Sequence, residues 1–228
     1  MGTIILIRHA RSIANAENIL AGQTPGVRLD PTGIEQSNAL VETLGKLPIA
    51  KVFVSPLERC MDTISPWLRT HGVGIEVHSE PRIIEPDYGS WSGRKLSELA
   101  TEPLWRDVQA NPESVIFPNG ERFVDVWRRV SSFYQSIREI SDDSSNFIVV
   151  SHGDVIKFLI ANILQIDFKN FQSLVVEPAS ISIAQIGKDS SRLLQFNRSQ
   201  DPLSQTLEHL FTSELGGEVR RSNHAKEQ

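Results

Sequence analysis

Cysteine is nearly missing from this chain: Cys60 is the single one among 228 residues. No internal disulfide can form, so a reducing compartment, the cytoplasm, is the expectation. Long apolar runs are missing too. None approaches the roughly 18 residues a membrane-spanning helix needs. The short run Ile4–Ile7 lacks a basic leader and a cleavage site, so no secretion signal is expected. Positive charge is not in excess, with 23 Lys and Arg against 28 Asp and Glu. That balance argues against a dedicated nucleic-acid or anionic-membrane binder. There is no GxxxxGK[ST] loop and no cluster with metal-ligand spacing along the chain, so no metal or other cofactor is expected. Internal repeats and low-complexity blocks are absent as well.

What remains is an ordinary globular composition, 39% hydrophobic and 22% charged, compatible with one core. Four short β-branched runs read as strands: Thr3–Ile7, Lys51–Val54, Gly74–Val77 and Asn146–Val150. TIILI and FIVV are continuous apolar blocks, as strands buried on both faces require. Helical spacing separates them. One helix is expected to start with Thr32 as N-cap and Glu35 at the capping-box position, running to about Gly45. Others are read over Pro56–Thr70, Glu121–Ile140 and Asp154–Leu164. Ser180–Ile186 and Leu193–Phe196 read as a hairpin turned at Gly187-Lys-Asp-Ser. The predicted fold is a three-layer α/β/α sandwich with a mostly parallel central sheet and an antiparallel edge strand. Residues 1–198 are expected to form one domain and 199–228 a partly disordered tail. Trp91, Trp105 and Trp127 read as packing residues, and His71 and His78 receive no role.

Ligands of open parallel sheets sit outside the carboxyl ends of the strands. Past the first strand come Arg8, His9, Ala10, Arg11, Ser12 and Asn15; past the second, Ser55 to Arg59. Past the third lies Glu85, and past the fourth come Ser151, His152, Gly153 and Asp154 at a helix start. Guanidinium forks and helix N-terminal amides suit phosphate oxygens. A histidine among them can act as nucleophile and a carboxylic acid as proton donor.

Six segments, in order, then resemble the histidine phosphatase (phosphoglycerate-mutase-like) superfamily: LIRHARSIAN, LDPTGIEQ, SPLERCMDT, EPDYGSWSG, FPNGER and VSHGDVIK. The resemblance implies that His9 attacks phosphorus, and that Arg8, Arg59 and His152 surround the phosphoryl group. It implies Glu85 as proton donor and then base, and Asn15, Ser12, Arg11 and Gly153 as substrate contacts. The nearby cations should keep His9 unprotonated. It also implies a metal-independent phosphatase for a small-molecule phosphate monoester, with the stretch of about 90–122 as a lid. The short interval between Glu85 and His152 and the GSWSG string favour the phosphatase branch over a phosphomutase. A protein phosphohistidine phosphatase and a non-catalytic phospholigand-binding protein are further alternatives. Arg11 and Arg122 depart from the family pattern and are expected to bias the outer pocket toward acidic substrates. Ala10, where the family has glycine, is expected to sit in ordinary backbone conformation at the pocket floor. The oligomeric state stays open, a dimer included.

Overall fold

The structure is a computed structural model that describes residues 1–142 and 145–199. The expected tail therefore lies, from residue 200 on, outside the described residues. In chain order the elements are β1 (Gly2–Arg8), α1 (Ile13–Ala16), α2 (Pro31–Leu44), β2 (Lys51–Val54), α3 (Glu58–Thr70) and β3 (Glu76–Ser79). After them come α4 (Leu96–Leu99), α5 (Pro103–Ala110), α6 (Phe123–Ile140), β4 (Asn146–Ser151), α7 (Gly153–Leu164), β5 (Ile181–Ile186) and β6 (Ser191–Arg198). The six strands form one sheet in the order β3-β2-β4-β1-β5-β6. The first four run parallel, and β5 pairs antiparallel with both β1 and β6.

Side chains that alternate along β1, β2 and β4 divide between two apolar layers. Ile4, Leu6, Phe53, Phe147 and Val149 face α6 and α7 residues such as Val130, Phe133 and Phe158. Ile5, Ile7, Val52, Val54, Ile148 and Val150 face α2 and α3 through Leu40, Leu44, Ile64 and Trp67. Both faces are covered, which is why the three central strands read as unbroken apolar runs. Each fully buried large side chain contributes roughly 1.5–3 kcal/mol. The expected three-layer architecture is thus the observed one. Among the described residues, no helix is long and apolar enough to cross a membrane.

Several boundaries differ from the sequence reading. The N-cap of α2 is Asp30, not Thr32: its carboxylate accepts from the Gly33 amide at 2.7 Å, and Pro31 occupies the first helical position. Proline's fixed φ suits that position, which moves the cap two residues back. β3 lies two residues later than expected, because Gly74 takes φ +85° and turns the chain first. It is an edge strand exposed throughout, so its second half, His78 and Ser79, carries no apolar signal that would have set its end. α3 starts at Glu58, Ser55-Pro-Leu being extended connection, and β6 extends to Ser191–Arg198.

Segment 90–122 carries α4 and α5. Leu96, Leu99, Trp105, Val108 and Phe117 bury themselves in the α6/α7 layer, and Trp91 lies 6.2 Å from Trp105 and 5.6 Å from Phe117. The three tryptophans pack, as read: Trp127 stacks on Phe168 at 5.2 Å.

Candidate active site

Sheet register brings the two histidines together. Arg8 pairs with Ser151 on the neighbouring parallel strand, so the next residues, His9 and His152, stand side by side with ring centroids 5.2 Å apart. His9 Nδ1 lies 2.8 Å from the Ala10 carbonyl. A carbonyl only accepts, so Nδ1 carries the proton and Nε2 keeps its lone pair. The backbone that presents this carbonyl is fixed in turn, since the Ala10 amide donates to Thr63 Oγ1 at 2.8 Å. Burial first, then Arg59, His152 and Arg8, hold His9 well below the ordinary imidazole range. His9 is therefore an uncharged imidazole at neutral pH, with a lone pair on Nε2.

Two guanidiniums close in on the same space. Arg8 is buried and donates to the Val176 carbonyl at 2.6 Å. Arg59, 1% exposed, donates through Nη2 to the Gly22 carbonyl at 2.8 Å. Its Nε and Nη1 have no hydrogen-bond partner among the described residues and remain as donors for an anion. His152 sits between Ser55 Oγ, 2.7 Å from its Nε2, and Glu85 Oε2, 3.1 Å from its Nδ1. The latter contact has ion-pair distance without hydrogen-bond alignment. Burial, then the arginines, keeps His152 well below its usual range. Beside it Cys60 is pushed up to about 12, chiefly by burial, and is inert as a nucleophile at neutral pH.

Glu85 Oε2 lies 3.6 Å from Arg59 Nη2. Burial raises its pKa and outweighs the opposing pull of Arg59, Arg8 and Arg129. A carboxyl whose acid form is favoured by burial, set next to cations, suits a proton donor. Its backbone is gripped from α6: Arg129 donates to the carbonyls of Arg82 and Ile84, both at 2.8 Å, and to that of Glu85 at 3.3 Å. Glu121, from FPNGER, orients Arg129 and accepts from the Asp87 amide at 2.8 Å. Gly89 has φ +53°, and a Cβ there would lie 2.2 Å from the Pro118 carbonyl, so these two loops meet only through glycine.

The remaining expected contacts divide. Ser12 caps α1 by accepting from the Asn15 backbone amide, and Asn15 Oδ1 accepts from both the Ser12 amide and its hydroxyl, which leaves the Asn15 side-chain Nδ2 as a donor. Both line the pocket with Gly153, the first residue of α7. Arg11 does not line it: its Nε pairs with Asp30 at 3.2 Å and its amide donates to Gln36, tying α2 to the loop that follows β1. Arg122 is exposed at the start of α6, so neither departing arginine enters the pocket. Ala10 has no positive φ, as expected, but it packs against Leu29 and Ala179 instead of flooring the pocket. The pocket spans about 470 Å³ including its open mouth, and Ile19, Leu20, Leu96 and Tyr88 add to its lining. Sequence reasoning assigned no role to Ser55, Tyr88, Arg129 and Asp154. Two of them, Ser55 and Asp154, follow strand ends, which is the signal that could have found them.

His9, Glu85 and His152 have donor atoms converging within 4.8 Å of one another. That spacing would also span a cation, but two guanidiniums facing it make it a site for an anion.

The chain matches the Histidine phosphatase superfamily (branch 1) over residues 4–199. It is 30% identical over 204 residues to phosphoserine phosphatase 1 of Hydrogenobacter thermophilus, covering 86% of this chain and 92% of that one. It is 24% identical to a 2,3-bisphosphoglycerate-dependent phosphoglycerate mutase of Cytophaga hutchinsonii, over 88% and 91% of the two chains. Among solved structures it resembles the alpha-ribazole phosphatase from Shigella flexneri, with TM-score 0.77 and 27% identity over 86% and 96% of the chains. This chain belongs to the histidine phosphatase superfamily, branch 1.

Proposed function

We propose that this chain is a phosphatase that hydrolyses small-molecule phosphate monoesters through a phosphohistidine on His9, without a metal. One observation carries the reading: an uncharged His9 faces a pocket that holds two buried guanidiniums and a carboxyl whose acid form is favoured by burial. Arg8, Arg59, His152, the Asn15 side-chain amide and the Gly153 end of α7 hold the phosphoryl oxygens, whose charge grows at the transition state. His9 Nε2 bonds to phosphorus as the ester P–O bond breaks, and the Glu85 proton passes to the departing oxygen. Glu85, now a carboxylate, takes a proton from water, and the resulting hydroxide displaces His9.

Water is favoured over a second phospho-acceptor because, apart from Arg8, His9 and Arg59, the pocket lining includes no basic side chain to grip another anionic group. A recessed pocket whose lining includes the buried Leu20 and Leu96 favours small substrates over a phosphoprotein. The lone buried Cys60 fits work in the reducing cytoplasm. The test is a rapid-quench experiment with 32P-labelled substrate. Wild type acquires a protein-bound label that survives alkali and is lost in acid, and His9→Ala acquires none and turns over nothing. Turnover retained by His9→Ala would refute the mechanism.

A further inference from the structure

A tyrosine, a carboxylate and a lysine stand behind Glu85 and take no part in the steps above. Tyr88 and Asp154 are each 1% exposed and line the pocket, and Lys157 lies one turn further along α7. Tyr88 Oη donates to Asp154 Oδ2 at 2.9 Å and lies 3.5 Å from Glu85 Oε1. Lys157 Nζ donates to Asp154 Oδ1 at 3.3 Å and to Gln172 Oε1 at 3.0 Å.

A phenol has one proton to give. Asp154, paired with an ammonium, is a carboxylate that only accepts, and it takes that proton at the shorter distance. Tyr88 therefore turns a lone pair toward Glu85. A lone pair there attracts a protonated carboxyl and repels a carboxylate. The other groups around the Glu85 carboxyl are Arg59 at 3.6 Å, His152 Nδ1 at 3.1 Å, and Arg8, Arg129 and the neutral His9 and Cys60 more loosely. The guanidiniums all favour the carboxylate.

We propose that Asp154, by orienting the Tyr88 hydroxyl, makes Tyr88 a hydrogen-bond acceptor that holds Glu85 in the acid form needed to protonate the leaving group. This rests on Glu85 being the proton donor, as argued above. Tyr88 and Asp154 act through Glu85 and are positioning residues. The 3.5 Å contact is long, as such contacts often are before substrate closes the site.

The experiment measures kcat/KM from pH 5 to 9 on propyl phosphate, whose leaving group needs a proton, and on 4-nitrophenyl phosphate, whose leaving group does not. Tyr88→Phe removes the acceptor. The basic limb on propyl phosphate then moves down by about half to one pH unit, and the rate recovers toward the wild-type plateau as pH falls. On 4-nitrophenyl phosphate the same variant changes by less than about threefold. Asp154→Asn shifts the limb in the same direction: Lys157 keeps the amide oxygen, the amide nitrogen donates to Tyr88, and the tyrosine proton turns to Glu85. In a Tyr88→Phe background, Asp154→Asn adds no further shift. An unmoved basic limb in both single variants, equal losses on both esters, or additive shifts would each overturn the proposal. Glu85→Gln separates the two levels. If it leaves the wild-type limb in place, the assignment of Glu85 fails; if it abolishes the limb but Tyr88→Phe does not move it, only the role of Tyr88 fails.

Discussion

Arg129→Met tests whether Glu85 is held by its backbone. The substitution keeps an apolar stem of similar length but removes donors to three carbonyls, Arg82, Ile84 and Glu85, and strands Glu121. A hydrogen bond from a charged donor contributes about 1.5–3 kcal/mol. The Arg129 side chain is 17% exposed, so water offsets part of each loss. A net cost of about 2–4 kcal/mol follows, in the range of other buried-network losses. Part of it falls on the position of the carboxyl, because the released carbonyls flank Glu85 itself. A displacement near 1 Å at a reacting group lowers the rate on the order of 10²-fold. Urea unfolding should show the stability loss at an unchanged m-value. Steady-state kinetics should show a larger loss on propyl phosphate than on 4-nitrophenyl phosphate, where the donor matters less. Full stability loss with an unaltered ratio between the two esters would mean that the grip stabilises the loop without positioning the acid. A cost below about 0.5 kcal/mol would refute the account of the clamp itself.

Gly33→Ala should destabilise the chain by about 3 kcal/mol, since its Cβ would stand 1.9 Å from the Arg11 carbonyl and α2 must move off the loop that follows β1. Thermal melting checks this, and a melting temperature within about 2 °C of wild type would contradict it. Stability should also fall with acid. His9 and His152 have folded values well below 6.5, so the unfolded chain binds their protons first. Their contribution is complete above about pH 6.5 and is lost as pH drops toward the folded values, at up to about 1.4 kcal/mol per pH unit for each. Glu85, shifted upward, works in the opposite sense, its contribution being lost as pH rises through its folded value. Urea unfolding at pH 7 and pH 5.5 should show the histidine loss in wild type and a smaller one in His152→Asn; equal stability at both pH values in wild type would refute the reasoning.

Much of this molecule could be read from one dimension. β1, β2 and β4 are apolar on both faces because helices cover both, and that condition leaves a continuous run in the sequence. His9, Glu85 and His152 each follow such a run or sit in a spaced string, so their convergence was legible before their distances were. The features that escaped depend on partners far apart in the chain. Tyr88 meets Asp154 across 66 positions, and Arg129 meets the Glu85 carbonyl across 44. No local periodicity records such a pairing. The opposite error has the same origin. Arg11 and Arg122 look like pocket cations when only their neighbours in sequence are considered. Asp30 claims the first, and the start of α6 turns the second to solvent.

The pairing of Arg8 with Ser151 has a consequence for how this enzyme would age or tolerate mutation. His9 and His152 follow the same rung of one ladder, so their separation is a property of two hydrogen-bonded main chains at the usual spacing of about 4.8 Å. Nothing short of breaking the sheet alters it. Glu85 hangs from a loop outside the sheet, held largely by the Arg129 and Glu121 side chains. Damage short of unfolding should therefore leave a protein that still captures phosphate and no longer releases alcohol. Such a chain would be a sponge for its own product.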